Sequence, residues 1–168
     1  NYAVSYNGSN QYIEVADNNA LDLSGNMTIE AWIFPTGTGS DATQGGIIVN
    51  KESSYEIARF ADGTIQYALS ANGAGTDWSW TNTGLIAPLN QWTHIAFVKS
   101  GTTITVWLNA ASLFTAGSQP ATLTANTQVL RIGARITGAQ YFNGYIDDVR
   151  IWNTVRTQAE IRKYIFDQ

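Results

Sequence analysis

Residues 143–161 read NGYIDDVRIWNTVRTQAEI, and two different periods meet inside them. Ile146, Val149 and Ile151 are core-type residues, yet the step from 146 to 149 breaks the two-residue period of a strand. One extra residue at Asp147–Asp148, a β-bulge, restores the register and aims a carboxylate sideways. Further on the period changes. Thr157 followed three residues later by Glu160 is a capping box, and Ala159, Ile161, Ile165 and Phe166 fall near helical spacing. The stretch predicts a final strand, then a short helix that packs Ile161, Ile165 and Phe166 against the sheet.

Upstream, short alternating runs follow one another between turn residues. YAVSY (2–6) and QYIEV (11–15), joined by NGSN, read as a hairpin. In MTIEAWIF (27–34), Met27, Ile29, Ala31 and Ile33 face one way and Thr28, Glu30, Trp32 and Phe34 the other, so both faces are covered. The loop GTGSDATQGG (37–46) precedes IIVNK (47–51). SYEIARF (54–60) and TIQYALSA (64–71) flank ADG, a strong hairpin signal. QWTHIAFVK (91–99) and TTITVWLN (102–109) make another hairpin, residues 110–128 read as irregular, and VLRIGA (129–134) is a further strand. The pattern is all-β: a two-sheet antiparallel jelly-roll sandwich with a short C-terminal helix, as one domain over 1–168.

Composition narrows the function classes. Apolar residues make up 44% of the chain, enough to bury a core and argue against disorder. The net charge is −4 with no Lys/Arg run, so the footprint of a nucleic-acid binder is missing. No apolar stretch approaches the roughly 18 residues of a membrane span. The absence of cysteine excludes disulfides, thiol nucleophiles and cysteine-based zinc sites. Asn1 in place of Met suggests a piece excised from a larger protein, and the lack of a long apolar edge or helical stripe favours a monomer.

The closing stretch G-Y-I-D-D-V-R-I-W-N with its T-Q-A-E-I helix is similar to the end of the laminin-G-like, concanavalin A-type jelly-roll family. YNGSNQYIEV resembles that family's opening segment, MTIEAWIFP its T-I-x-x-W strand, NQWTHIAFV its W-x-H segment, TVWLNA the strand that follows, and LRIGA the element before the last strand. Ala110 departs from it, standing where the family usually has Gly after Asn. The resemblance implies two antiparallel sheets, and a secreted or cell-surface bacterial protein. Many members bind carbohydrate, and many bind one calcium ion. It suggests that Asp147 meets the opening NG turn, where Asn7 and backbone carbonyls complete an oxygen site of the kind calcium takes, with a structural role. Asp17 and Asp22, in DNNALDLSGN, are further candidate ligands. The alternative is that Asp147 caps backbone amides or pairs with Arg150 or Arg131.

Hydrolysis is also known on this fold, but the carboxylates do not fit it. The glucanase pattern E-x-D-x-x-E is missing. Glu52 and Glu56, on one regular strand, stand about 13 Å apart, beyond the separation a glycosidase pair needs. Asp147 and Asp148 are adjacent, and on a regular strand they would face opposite ways. His94 is the only histidine, no G-x-S-x-G elbow accompanies it, and its place in an alternating strand makes it a hydrogen-bonded structural residue. No catalytic residue is assigned, and the chain is read as a non-enzyme.

GAGTDWSWTNTG (73–84) holds the candidate ligand-binding chemistry. Trp78 and Trp80 sit two apart among Gly, Ala, Ser, Thr, Asn and one Asp, on one face if extended. Sugars stack C–H-rich faces on aromatic rings while their hydroxyls bond amides, carboxylates and guanidinium groups. Tyr55, Arg59, Tyr67, Asn72 and Asp77 lie on neighbouring segments and join the candidate set, with Tyr141 and Phe142 a second candidate. The other four tryptophans fall in patterned strands, as core residues do. Two readings stand: a non-catalytic module binding a glycan or polysaccharide, or a protein-binding or spacer domain of an adhesin with both tryptophans buried.

Overall fold

Alternation along the strands sorts the side chains into a shared interior and two outward faces. The structure, a computed structural model, describes residues 2–74 and 76–166, with the Phe166 side chain outside that description. Two six-stranded antiparallel sheets form the sandwich. The first runs β1 (Val4–Asn7), β12 (Asn143–Trp152), β3 (Met27–Pro35), β8 (Thr93–Ser100), β9 (Thr103–Leu108), β10 (Ser112–Ala116). The second runs β2 (Ile13–Val15), β11 (Leu130–Ile132), β4 (Gly46–Lys51), β5 (Tyr55–Arg59), β6 (Thr64–Leu69), β7 (Trp80–Ile86).

The core lies between them. Met27, Ile29, Ala31 and Ile33 of β3 meet Ile95 and Phe97 of β8 and Ile104 and Val106 of β9, and the second sheet contributes Tyr55, Ile57, Ile65, Tyr67 and Leu69. Fully burying an aliphatic or aromatic side chain is worth about 1.5–3 kcal/mol, so this layer is the main source of stability. No tryptophan belongs to it; all six keep part of their surface in solvent.

The bulge read from 146–149 is present. β12 keeps register with β3 through Asp147↔Trp32, shifts, and resumes at Arg150↔Glu30, with Asp148 at φ 51°. The helix is α1 (Gln158–Phe166), and Thr157 and Glu160 cap it reciprocally through the Thr157 amide to Glu160 and the Glu160 amide to Thr157 Oγ1. Its Ile161, wholly buried, packs on Ala96, Val98 and Ala110, with Ile165 and Trp107 beside them. The expected part of Phe166 lies outside the described residues. Helix α1 thus covers one half of the first sheet's outward face. Asn109 and Ala110 both take left-handed backbone, at φ 52° and 50°. The Ala that stands where the family has Gly bears that strain while its methyl fills the cluster under α1.

The four tryptophans expected in the core stand outside it, and two expectations about the strands also fail. The segments 2–6 and 11–15 are not a hairpin: β1 pairs with β12 and β2 with β11, because the chain crosses from one sheet to the other between them. Residues 110–128 are not wholly irregular, since β10 closes the edge beside β9. Its pattern is short and mostly exposed, which leaves little alternation to read.

Candidate functional site

Strand register draws one line of residues across the outward face of the second sheet. Glu14, Arg131, Asn50, Glu56, Ala68 and Trp80 stand opposite one another from β2 to β7. A second line, Ile47, Ala58, Gln66 and Asn82, runs beside it. The small side chains of Ala58 and Ala68 leave room above the sheet. Trp80 enters it, packing edge-on against Phe60 at 5.1 Å over Ile47 and Ala58.

Glu56 is the centre of the polar half. Its carboxylate is fully buried and accepts from Asn50 Nδ2 at 2.6 Å and from the Trp78 indole N–H at 3.2 Å. Asn50 donates also to Glu52 at 3.1 Å and accepts from the Ile136 amide at 3.2 Å. Arg135 clamps Glu52 with two bonds of 2.9 and 2.8 Å, and its guanidinium stands 5.8 Å from the Trp78 ring centroid. Arg135 continues to Gln140, and Gln140 to Gln44. Burial is the main influence on Glu56 and pushes its pKa up to about 7; the nearby Arg135 opposes this, the Glu52 charge adds to it, and the bonds from Asn50 and Trp78 oppose it again. Arg135 is shifted upward, chiefly by its bonds to Glu52.

This corrects the separation expected for Glu52 and Glu56. Glu52 lies in the tight turn between β4 and β5, with Ser53 at φ 58°, so the two carboxylates fold back onto one nitrogen of Asn50. Arg135 occupies Glu52 and burial encloses Glu56, so the pair belongs to one ion network.

Of the predicted ligand-binding set, Trp78 and Trp80 lie on this face, both half-buried. Asp77 and Asn72 brace the loop that carries Trp78: Asp77 accepts from Ser70 Oγ and the Ala71 amide, each at 2.7 Å, and Asn72 bonds Ala74 and Thr76. The Ser70 bond, aided by the Ala71 amide, holds Asp77 below the usual carboxylate range. Tyr55, Tyr67 and Arg59 do not join the site, because they point inward. Tyr55 is a core residue whose hydroxyl donates to Leu21 O, Tyr67 packs on Phe97 and Phe114, and Arg59 donates to Ala87 O. Phe142 is buried against Tyr6, while Tyr141 is half-buried. Sequence reading misses Asn50 and Arg135, and weighs Glu52 and Glu56 only as a hydrolytic pair.

The four residues considered for calcium do not converge. Asp17 and Asp22 sit 2.9 and 3.3 Å from the ammonium of Lys51, itself wholly buried and bonded to Asn126 O and Gln128 O. Asn7 caps its own turn, bonding the amides of Ser9 and Asn10, and stands opposite Asn143. Asp147 lies farther along β12 and accepts from the Asp148 amide. Among the described residues, no group of three or more His, Asp or Glu side chains is placed to share an ion. Asp17 and Asp22 thus share Lys51, while Asn7 and Asp147 bond backbone amides of their own segments. His94 is buried on the first sheet, 3.4 Å from Glu30 and against Trp32.

A family model described as the concanavalin A-like lectin/glucanases superfamily matches residues 7–162. The chain belongs to that superfamily. No curated protein matches this lectin/glucanase-superfamily domain by sequence. Solved structures match its fold. Domain 4 of AbnA, an extracellular arabinanase from Geobacillus stearothermophilus solved in complex with arabinotriose, is 22% identical with a TM-score of 0.73, over 96% of this chain and 75% of that one. A candidate carbohydrate-binding protein of Bacteroides ovatus is 16% identical with a TM-score of 0.74, over 96% of this chain and 46% of that one. The binding domain of Paraclostridial Mosquitocidal Protein 1 is 15% identical with a TM-score of 0.74, over 98% of this chain and 43% of that one. The superfamily domain thus spans less than half the length of the last two.

Proposed function

We propose that this chain is a non-catalytic carbohydrate-binding module of a secreted or surface protein. Its glycan lies on the outward face of the second sheet, across Trp78 and Trp80. The observation that carries this reading is the bond from the Trp78 indole to buried Glu56. A loop tryptophan free to turn would lose rotamer entropy on stacking against a sugar. One anchored by its N–H is already oriented, and preorganisation lowers that cost. Arg135, near the ring, and its partner Glu52 keep part of their side chains in solvent, suited to the hydroxyls a stacked sugar presents. The superfamily, and structural neighbours that include an arabinotriose-bound domain, support the same reading.

The test is a titration with arabinotriose and a set of neutral oligosaccharides, reading tryptophan fluorescence with acrylamide as quencher. Binding that protects Trp78 and Trp80 in the wild type, and no protection in Trp78→Ala, is the expected result. Unaltered quenching with every sugar favours the protein-binding or spacer reading.

A further inference from the structure

The half of the first sheet's outward face that α1 leaves open carries an aromatic recess. Phe34 on β3 forms its floor, Tyr145 stands opposite Phe34 on β12, and Trp92 lies on the β8 side. Ring centroids are 6.1 Å apart for Phe34–Tyr145 and 5.5 Å for Phe34–Trp92, with planes inclined by 66° and 53°. Tyr2 and Ala3 complete the lining of a space of about 390 Å³. Trp92 and Tyr145 are each 40% exposed, so the walls are open to solvent.

The chemistry of this lining differs from that of the second sheet. It holds no carboxylate, amide or guanidinium side chain, and the Tyr2 and Tyr145 hydroxyls have no partner among the described residues. A sugar seated here would leave most of its hydroxyls without protein partners, which is costly once water is displaced. A quaternary ammonium has no N–H to satisfy and loses nothing of that kind. The inclined rings also suit it. Phe34 has Tyr145 and Trp92 each within about 6 Å on its two sides, so a cation seated over Phe34 has three aromatic rings around it. The chain's net charge of −4 favours a cation further.

We propose that this recess binds a quaternary ammonium head group, independently of any glycan on the other sheet. The probe is choline chloride, titrated at up to tens of millimolar into the full chain and followed by the indole N–H signals in a proton–nitrogen correlation spectrum. The Trp92 signal is identified by its loss in Trp92→Phe. Choline is expected to shift Trp92 saturably and leave Trp78 and Trp80 in place. Tyr145→Ala, removing one exposed wall, should weaken that binding about fivefold or more with the fold intact. The neutral isostere 3,3-dimethylbutan-1-ol should shift Trp92 far less. Vesicles of phosphatidylcholine distinguish the source: pelleting that Tyr145→Ala abolishes means a lipid-borne head group, and choline binding without pelleting means a soluble one. Equal shifts from the isostere, shifts of Trp92 from oligosaccharides but not choline, or no shift at all would each overturn the proposal.

Discussion

Replacing Glu56 by Gln should flatten the pH dependence of stability between about pH 5 and pH 7. Glu56 titrates near 4.5 when exposed and near 7 in the fold, because burial disfavours its charged form more than Arg135, Asn50 and Trp78 restore it. Between those values the folded chain holds a proton that the unfolded chain has released. Stability is therefore highest below the unfolded value and is lost as pH rises through the folded one. A shift of that size corresponds to about 3 kcal/mol once the group is fully ionised, of which about 2 kcal/mol falls between pH 5 and pH 7. The assay is urea unfolding at four or five pH values across that range, on wild type and Glu56→Gln. Absolute stability of the variant also falls, because a Gln amide turns a donor toward Asn50 or Trp78, so the slope is the readout. Equal slopes in the two proteins would refute the assignment of that proton to Glu56.

Other perturbations test separate parts of the structure. Thr157→Ala removes the helix cap and should cost about 1 kcal/mol, read as a lower Tm. Ile161→Ala opens a cavity under α1 and should cost about 2–5 kcal/mol by urea unfolding. Chelator or added calcium should leave Tm unchanged, since Lys51 already supplies the positive charge between Asp17 and Asp22; a fall in chelator would place an ion the side-chain geometry does not show. Lys51→Met should destabilise by about 3–5 kcal/mol by leaving that acidic pair without its partner, and a smaller loss would show that solvent screens it.

The fold was legible wherever one side of a strand is core. Met27, Ile29, Ala31 and Ile33 announce β3, the broken period at 146–149 announces the bulge, and Thr157 with Glu160 announces α1. Pairing partners were less legible: YAVSY and QYIEV look like a hairpin because neighbouring strands separated by a turn usually are, and nothing local marks a crossing between sheets. The site was legible only in part. Phase could have corrected it, since Tyr55 is in step with Ile57, and Tyr67 with Ile65 and Leu69, which makes them core, whereas Glu56 falls on the opposite face. Arg135 gives no such sign, because it sits in a loop some eighty positions from Glu52 and only the fold brings them together. Trp92 reads as a core residue from its strand pattern, yet it lies just before β8 begins and lines a recess in the surface.

The central claim is that Trp78 and Trp80 carry a glycan-binding face, and a glycan array probed with wild type beside the Trp78→Ala/Trp80→Ala double variant tests it most directly. The account predicts binding to a restricted set of glycans by the wild type, lost in a double variant whose circular dichroism shows the sandwich intact. Identical patterns from both proteins, or no binding by either while both are folded, would contradict it.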